Sequence, residues 1–225
     1  VCGVIEALSA FARAGFTTRA TGNFAEPLSP QALARLRAAL GVGVPHRAHQ
    51  VHGNGVLVVA GDGRWHPESA DALIARGAPV AVRVADCLPL LLVDPRSGYL
   101  AAVHVGWRGL AAGIVQATLA RLQALGVALP RLRAAIGPHI RPCCFEVGED
   151  AAQRLAGCGC TIRRQGKASF ADLAAGVRRA LLDAGLSHDA IEDRSACTAC
   201  EAERFFSWRA RKEQARMLAV IAPRR

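Results

Sequence analysis

Lysine is scarce in this sequence: of 28 basic residues only Lys167 and Lys212 are lysines, and the rest are arginines. Aromatic residues are scarce too, at 5%, with a single tyrosine. That argues against a nucleic-acid binder, which stacks bases on aromatic side chains. No apolar run approaches the roughly 20 residues of a membrane span, so no membrane partner is expected. The opening stretch VCGVIEALSAFARAGF carries Glu6 and Arg13 and lacks a basic leader and a clean cleavage site, so it is not read as a signal peptide. Neither a GxGxxG nor a GxxxxGK[ST] loop occurs, which leaves a Rossmann cofactor site and a P-loop unsupported. The seven histidines include no His-X-His pair, which counts against a multicopper oxidase. There is no internal repeat and no low-complexity linker, so residues 1–225 are read as a single domain.

What is present is a chain with 52% hydrophobic residues, enough to bury a substantial core. Its net charge of +10 comes from arginines spread singly along the chain. This reads as a solvated basic surface with some attraction for anions such as phosphate. The eight cysteines are Cys2, Cys87, Cys143, Cys144, Cys158, Cys160, Cys197 and Cys200. A chain this rich in core does not need disulfides, and without an export signal the expectation is reduced thiols in the cytoplasm. Cys197–Cys200 with Cys158–Cys160 offers an alternative, a structural zinc site, against which stand the long spacing and irregular flanks.

Ser29-Pro30 is a helix start, Leu33, Leu36 and Leu40 share one face, and Gly41 stops the helix. Strands are expected at 56–60, 79–85, 88–94, 99–106, 132–137 and 215–221, and helices at 110–125 and 170–184. The turn Asp94-Pro95-Arg96-Ser97-Gly98 makes a hairpin of 88–94 and 99–106. Hairpins with helices between groups of strands define an α+β (mixed α/β) fold class, with mixed sheets flanked by helices.

Three segments carry the candidate chemistry: HQVHG around His52, ADCLP around Cys87, and VHVGWRG around His104. Each places a soft or borderline ligand near a strand end, followed by Gly or Pro. Two imidazoles and one thiolate suit zinc, and three protein ligands leave a fourth position open, as in a catalytic site. Taken singly, His104 would read as a hydrogen-bonded core residue and Cys87 as a small core side chain.

HQVHG, ADCLPLLLVD, VHVGWRG, IGPHIRPCCFEVG and CTAC…RFFSWR, in this order, resemble the YfiH/YlmD family, also called laccase-domain or polyphenol oxidase-like. GFTTR at 15–19 and ADALI at 70–74 belong to the same likeness, which runs from about Gly15 to Ile221. The resemblance implies a sandwich fold related to the catalytic domain of deamidating bacterial toxins. It implies a zinc-dependent purine nucleoside phosphorylase acting on adenosine, inosine or methylthioadenosine with phosphate, and adenosine deaminase activity. His52, Cys87 and His104 match the family's metal ligands, with copper as an alternative occupant. Arg19 and Arg209 match arginines of family motifs and, with Arg108, are expected to hold substrate or phosphate. Asp86 is the first candidate for general acid or base, and Glu146 the second. Monomer and homodimer both remain open.

The sequence departs from the family pattern in several places. TGNFAEPLSP replaces a glycine-rich stretch after Arg19, Val105 replaces alanine, and His139 stands where a small residue is usual. Phe145 replaces tyrosine, and Lys212-Glu213-Gln214-Ala215 replaces a glycine-containing turn. Two rival enzymes remain. One is a Cys–His hydrolase or amidase with Cys87 as nucleophile and His104 as base, acting on cell-wall precursors. The other is a copper-dependent polyphenol oxidase.

Overall fold

LPLLLV can be apolar at every position because both of its faces are covered. In the computed structural model, which describes residues 4–224, strand Leu88–Val93 lies inside a six-stranded sheet. The strand order is Ile191–Asp193, Arg133–Ile136, Leu88–Val93, Tyr99–Val105, Ala72–Arg76, Val56–Val59. Leu88, Leu90 and Leu92 face helices Trp107–Ala111, Ile114–Ala124 and Leu173–Asp183, packing with Leu110, Leu119 and Val177. Leu91 and Val93 face the other way, onto a four-stranded sheet of Val4–Ala7, Ala12–Thr17, Met217–Pro223 and Val80–Val84. The far side of that second sheet, through Ala81, Leu218 and Val220, is covered by Phe24 and by Leu36 of helix Pro30–Leu40. The result is four layers, helix–sheet–sheet–helix. Truncating one of the central leucines to alanine would cost roughly 2–5 kcal/mol.

The expected hairpin forms. The Asp94 carboxylate accepts the Arg96 and Ser97 N–H groups, and Gly98 supplies the positive φ of 76° that the turn requires. Ser29 caps helix Pro30–Leu40 through Ala32 N–H, and Gly41 ends it in the left-handed region. Two helices differ from the sequence reading. The single helix expected at 110–125 is two, Trp107–Ala111 and Ile114–Ala124, because Gly113 takes φ 81° between them. Trp107 and Arg108 therefore lie in a helix and not at a strand end. The helix expected at 170–184 starts only at Leu173, because Ala168–Asp172 pairs with Thr161–Gln165; the Asp172 carboxylate then caps Ala174 and Ala175. Cys2 lies outside the described residues. Among the described residues no helix is long and apolar enough to cross a membrane.

His139 is fully buried, donates Nδ1–H to the Gly137 carbonyl at 2.8 Å, and among the described residues has no partner for Nε2. Burial holds its pKa down at about 4, against an ordinary 6.5. The unfolded chain thus binds a proton below pH 6.5 that the folded chain refuses until about pH 4. The corresponding stability is complete above pH 6.5 and is lost as pH falls toward 4, on the order of 3 kcal/mol. Urea unfolding at pH 7 and pH 5 should show about 2 kcal/mol of this loss, and His139→Ala should flatten the pH dependence whatever its effect on absolute stability.

Candidate active site

Antiparallel pairing sets Pro89 opposite His104, so Cys87, two residues before Pro89, emerges on the same face of the six-stranded sheet as His104. His52 arrives from the loop after strand Arg47–His49, with φ 60°. The His52 and His104 rings stand edge to face, 4.8 Å apart. One ligand atom from each of His52, Cys87 and His104 lies within 4.8 Å of the other two. Gly106 makes this approach possible: a Cβ there would sit 3.0 Å from His52 Cδ2 and 3.4 Å from Cys87 Sγ. Gly109 plays a similar part, since its Cβ would come within 2.8 Å of the Gly53 carbonyl.

Asp71 organises the triplet. It is completely buried, and its Oδ1 accepts the His104 Nδ1–H at 2.7 Å and the His52 backbone N–H at 2.9 Å. Its Oδ2 accepts the Val51 and Gly53 N–H groups at 3.2 and 2.8 Å. Burial alone would raise its pKa, but the His104 and amide hydrogen bonds more than offset this and hold it below the usual carboxylate range. With Nδ1 committed to Asp71, His104 turns Nε2 to the centre of the triplet, as a metal-ligating imidazole oriented by a carboxylate does. Burial raises the Cys87 thiol, and the adjoining His104 and His52 reverse this, to about 6. Burial would lower His104, and Cys87 with Asp71 overcomes it, to about 9. Without a metal, thiolate, imidazolium and carboxylate thus form a row; loss of the His104 proton frees Nε2, and with the His52 imidazole the three side chains make a donor set suited to zinc.

The triplet opens into a cleft of about 560 Å³, within the range of small-molecule sites. Trp107, Phe145 and Trp208 line it, as do Arg83, Arg108, Arg209 and Arg216. Arg108 is exposed, lies 4.4 Å over the Trp107 ring, and among the described residues its guanidinium has no protein acceptor. Arg209 lies over Phe145 and donates to the Glu146 carbonyl. Arg19 stands elsewhere. Its guanidinium donates to the Ala202 and Phe205 carbonyls and to Glu213 at 2.7 Å, and lies 4.3 Å over Phe206. It fastens the C-terminal segment behind the cleft and does not line it.

Asp86 lines the cleft with φ 87°, a conformation costly for a non-glycine residue. Both carboxylate oxygens are engaged, one by the Thr198 hydroxyl at 2.7 Å and one by the Arg209 backbone N–H at 2.6 Å. Its carbonyl accepts Ile140 N–H. Asp86 therefore ties three segments to the site. Glu146 is exposed, and its side chain does not line the cleft. At the C-terminal departure from the family pattern, Lys212 takes the left-handed φ of 56° and Glu213 receives Arg19, Arg211 and the Ser207 N–H.

Sequence reasoning passed over Asp71, Arg83 and Arg216. Asp71 lies within ADALI, where an acid between apolar residues at the head of a buried strand was the available signal. The cysteines also regroup. Cys158 and Cys160 do not join Cys197 and Cys200, because Cys158 reaches toward the Leu110 carbonyl and Cys160 is buried against Gly176. Cys143 and Cys144 take their place.

Fold and site together define a class: a layered mixed α/β protein with a thiolate and two imidazoles converging at the mouth of an arginine-lined cleft. The chain belongs to the family described as multi-copper polyphenol oxidoreductase laccase, whose model matches residues 13–224. It is 39% identical to a purine nucleoside phosphorylase of Deinococcus radiodurans, over 93% of this chain and 89% of that one. It is 35% identical to adenosine deaminase RL5 from an unknown prokaryotic organism, over 63% of this chain and 57% of that one. The crystal structure of YlmD from Geobacillus stearothermophilus superposes with a TM-score of 0.87 at 28% identity, covering 99% of this chain and 97% of that chain.

Proposed function

We propose that this protein is a zinc-dependent purine nucleoside phosphorylase acting on adenosine, inosine and methylthioadenosine, with adenosine deamination as a second activity of the same cleft. The observation that carries the reading is the convergence of His52, Cys87 and His104 at a nucleoside-sized cleft lined by both guanidinium groups and aromatic faces. The names of the Deinococcus relative and of RL5 support the two activities. His52, Cys87 and His104 would hold the metal, which when bound supplies a Lewis acid at an open position.

The chain's own residues do the rest. Arg108, which has no protein acceptor among the described residues, meets the phosphate, and Arg209 lines the same cleft; guanidinium is suited to bidentate phosphate binding. Trp107, Phe145 and Trp208 offer apolar faces to purine and ribose and exclude water from them. Asp86, with both oxygens engaged, acts by positioning Arg209. Arg19 acts one step further back, by holding Glu213 and the 202–206 segment. As a phosphate oxygen bonds to C1′ the bond to the purine nitrogen breaks, and binding both partners in one cleft reduces the entropic cost of their encounter.

The test is base release from adenosine and inosine by zinc-replete protein, with and without phosphate. Release that requires phosphate is expected, and Arg108→Ala should raise the KM for phosphate about ten- to hundred-fold, the loss of a charge-assisted contact worth roughly 1.5–3 kcal/mol. Phosphate-independent conversion of adenosine to inosine as the only reaction would replace phosphorolysis with deamination.

One observation favours a second reading. The row Cys87–His104–Asp71 has the order of a thiol, a base and an orienting acid, which serves a cysteine hydrolase equally well. Such an enzyme does not require His52 as a ligand, although His52 helps His104 hold the Cys87 thiol down.

A further inference from the structure

Four cysteines form a second cluster, away from the His52 triplet. Cys143 and Cys144 sit in the turn where the Cys144 and Phe145 N–H groups both donate to the Arg141 carbonyl. Cys197 and Cys200 sit in a facing turn closed by Glu201 N–H to the Cys197 carbonyl. The sulfur of Cys143 lies 3.6 Å from that of Cys197 and 3.7 Å from that of Cys200, and Cys144 lies 3.3 Å from Cys200. All four sulfurs are within 4.8 Å of one another. A tetrahedron with metal–sulfur bonds of about 2.3 Å has sulfur–sulfur edges of about 3.8 Å, whereas a disulfide needs about 2.05 Å. The sulfurs are thus spaced as ligands around one ion.

We propose that Cys143, Cys144, Cys197 and Cys200 hold a structural zinc ion, separate from the ion assigned to His52, Cys87 and His104. Four thiolates and no oxygen or nitrogen donor select zinc over magnesium, calcium or manganese, and four protein ligands close the coordination shell, as in structural sites. Binding releases the four thiol protons and leaves the centre with two negative charges. Guanidinium groups are already in place around it. Arg211 donates to the Thr198 and Ala199 carbonyls, between two of the ligands, and Arg163 reaches the Pro142 carbonyl beside the other two. Cys143 and Cys200 are exposed, which provides an entry path, and Cys197 is buried.

The two turns it joins form one wall of the cleft. Phe145, next to Cys144, lines the cleft, and Thr198, next to Cys197, donates to Asp86 at 2.7 Å. The ion would therefore fix Asp86, and through it Arg209, without touching substrate.

The test is metal content of protein purified under reducing conditions, for wild type, His52→Ala and Cys143→Ser/Cys200→Ser. One zinc equivalent should persist in His52→Ala and be missing from the cysteine variant. Cobalt substitution should give intense thiolate-to-cobalt charge-transfer bands in His52→Ala. In wild-type protein, Cys143, Cys144, Cys197 and Cys200 should resist alkylation until zinc is withdrawn, a readout that does not depend on how the variant folds. Unchanged zinc in a folded cysteine variant, iron in place of zinc, or a reduced-buffer mass lighter by two disulfides' worth of hydrogen would overturn the assignment. Loss of zinc only in His52→Ala would overturn it while leaving the first site standing.

Discussion

His52→Ala should remove one equivalent of zinc and lower nucleoside phosphorolysis about a thousand-fold, with little change in folding. The side chain is exposed, and its backbone N–H, held by Asp71, survives the substitution. In the proposed site, however, the ring is one of three ligands, and two protein ligands would hold zinc poorly. A lost metal removes several kcal/mol of transition-state stabilisation, and each 1.36 kcal/mol is tenfold in rate. Metal analysis and phosphate-dependent base release on the same samples check this. The variant also separates the two readings of the site. The Cys87–His104–Asp71 row is complete without His52, so a cysteine hydrolase would keep most of its activity and its iodoacetamide-sensitive Cys87, losing only the smaller contribution of His52 to the lowered thiol pKa. Full activity of metal-free His52→Ala would sink the zinc reading.

Asp71→Asn should have a second large effect, through two separate routes. The carboxylate accepts four hydrogen bonds, two on each oxygen. An amide keeps one acceptor and turns an NH2 group toward N–H donors that remain buried, which should cost roughly 3 kcal/mol of stability. The amide also frees the His104 tautomer and removes the charge that would make its ring a good ligand in the proposed site, so zinc affinity should fall about ten- to hundred-fold. Chelator competition measures the second effect and urea unfolding the first. A folded Asp71→Asn protein with unchanged zinc affinity would show that Asp71 serves only to hold the loop at 51–53.

Much of this was legible before any tertiary structure. The strands at 88–94 and 99–106, the turn between them and the helix from Pro30 follow from local rules of alternation, turn chemistry and capping. His52, Cys87 and His104 were legible as residue types suited to one metal. The short strands Val4–Ala7 and Ala12–Thr17 were not, because their own pattern is weak and Met217–Pro223, which joins their hairpin to the sheet through Ala12–Thr17, is some 200 residues away. Asp71 escaped notice because its importance comes from donors contributed by two other segments. Arg19 and Arg108 are both family-like arginines, and only their surroundings tell them apart: one is engaged by Glu213 and carbonyls, the other faces the cleft.

The sequence by itself determined the α+β (mixed α/β) class and the family likeness and offered the three candidate ligands, since each rests on local patterns and motifs. Only the tertiary structure decided which cysteines stand together, which arginines reach the cleft and which acid orients His104. Those choices depend on contacts between segments far apart in the chain, where sequence spacing carries no distance. Cys197 and Cys200 illustrate the difference: their Cys-X-X-Cys spacing announced a pair, but the parallel bridge between His139 and Cys197 brought Cys143 and Cys144 to it.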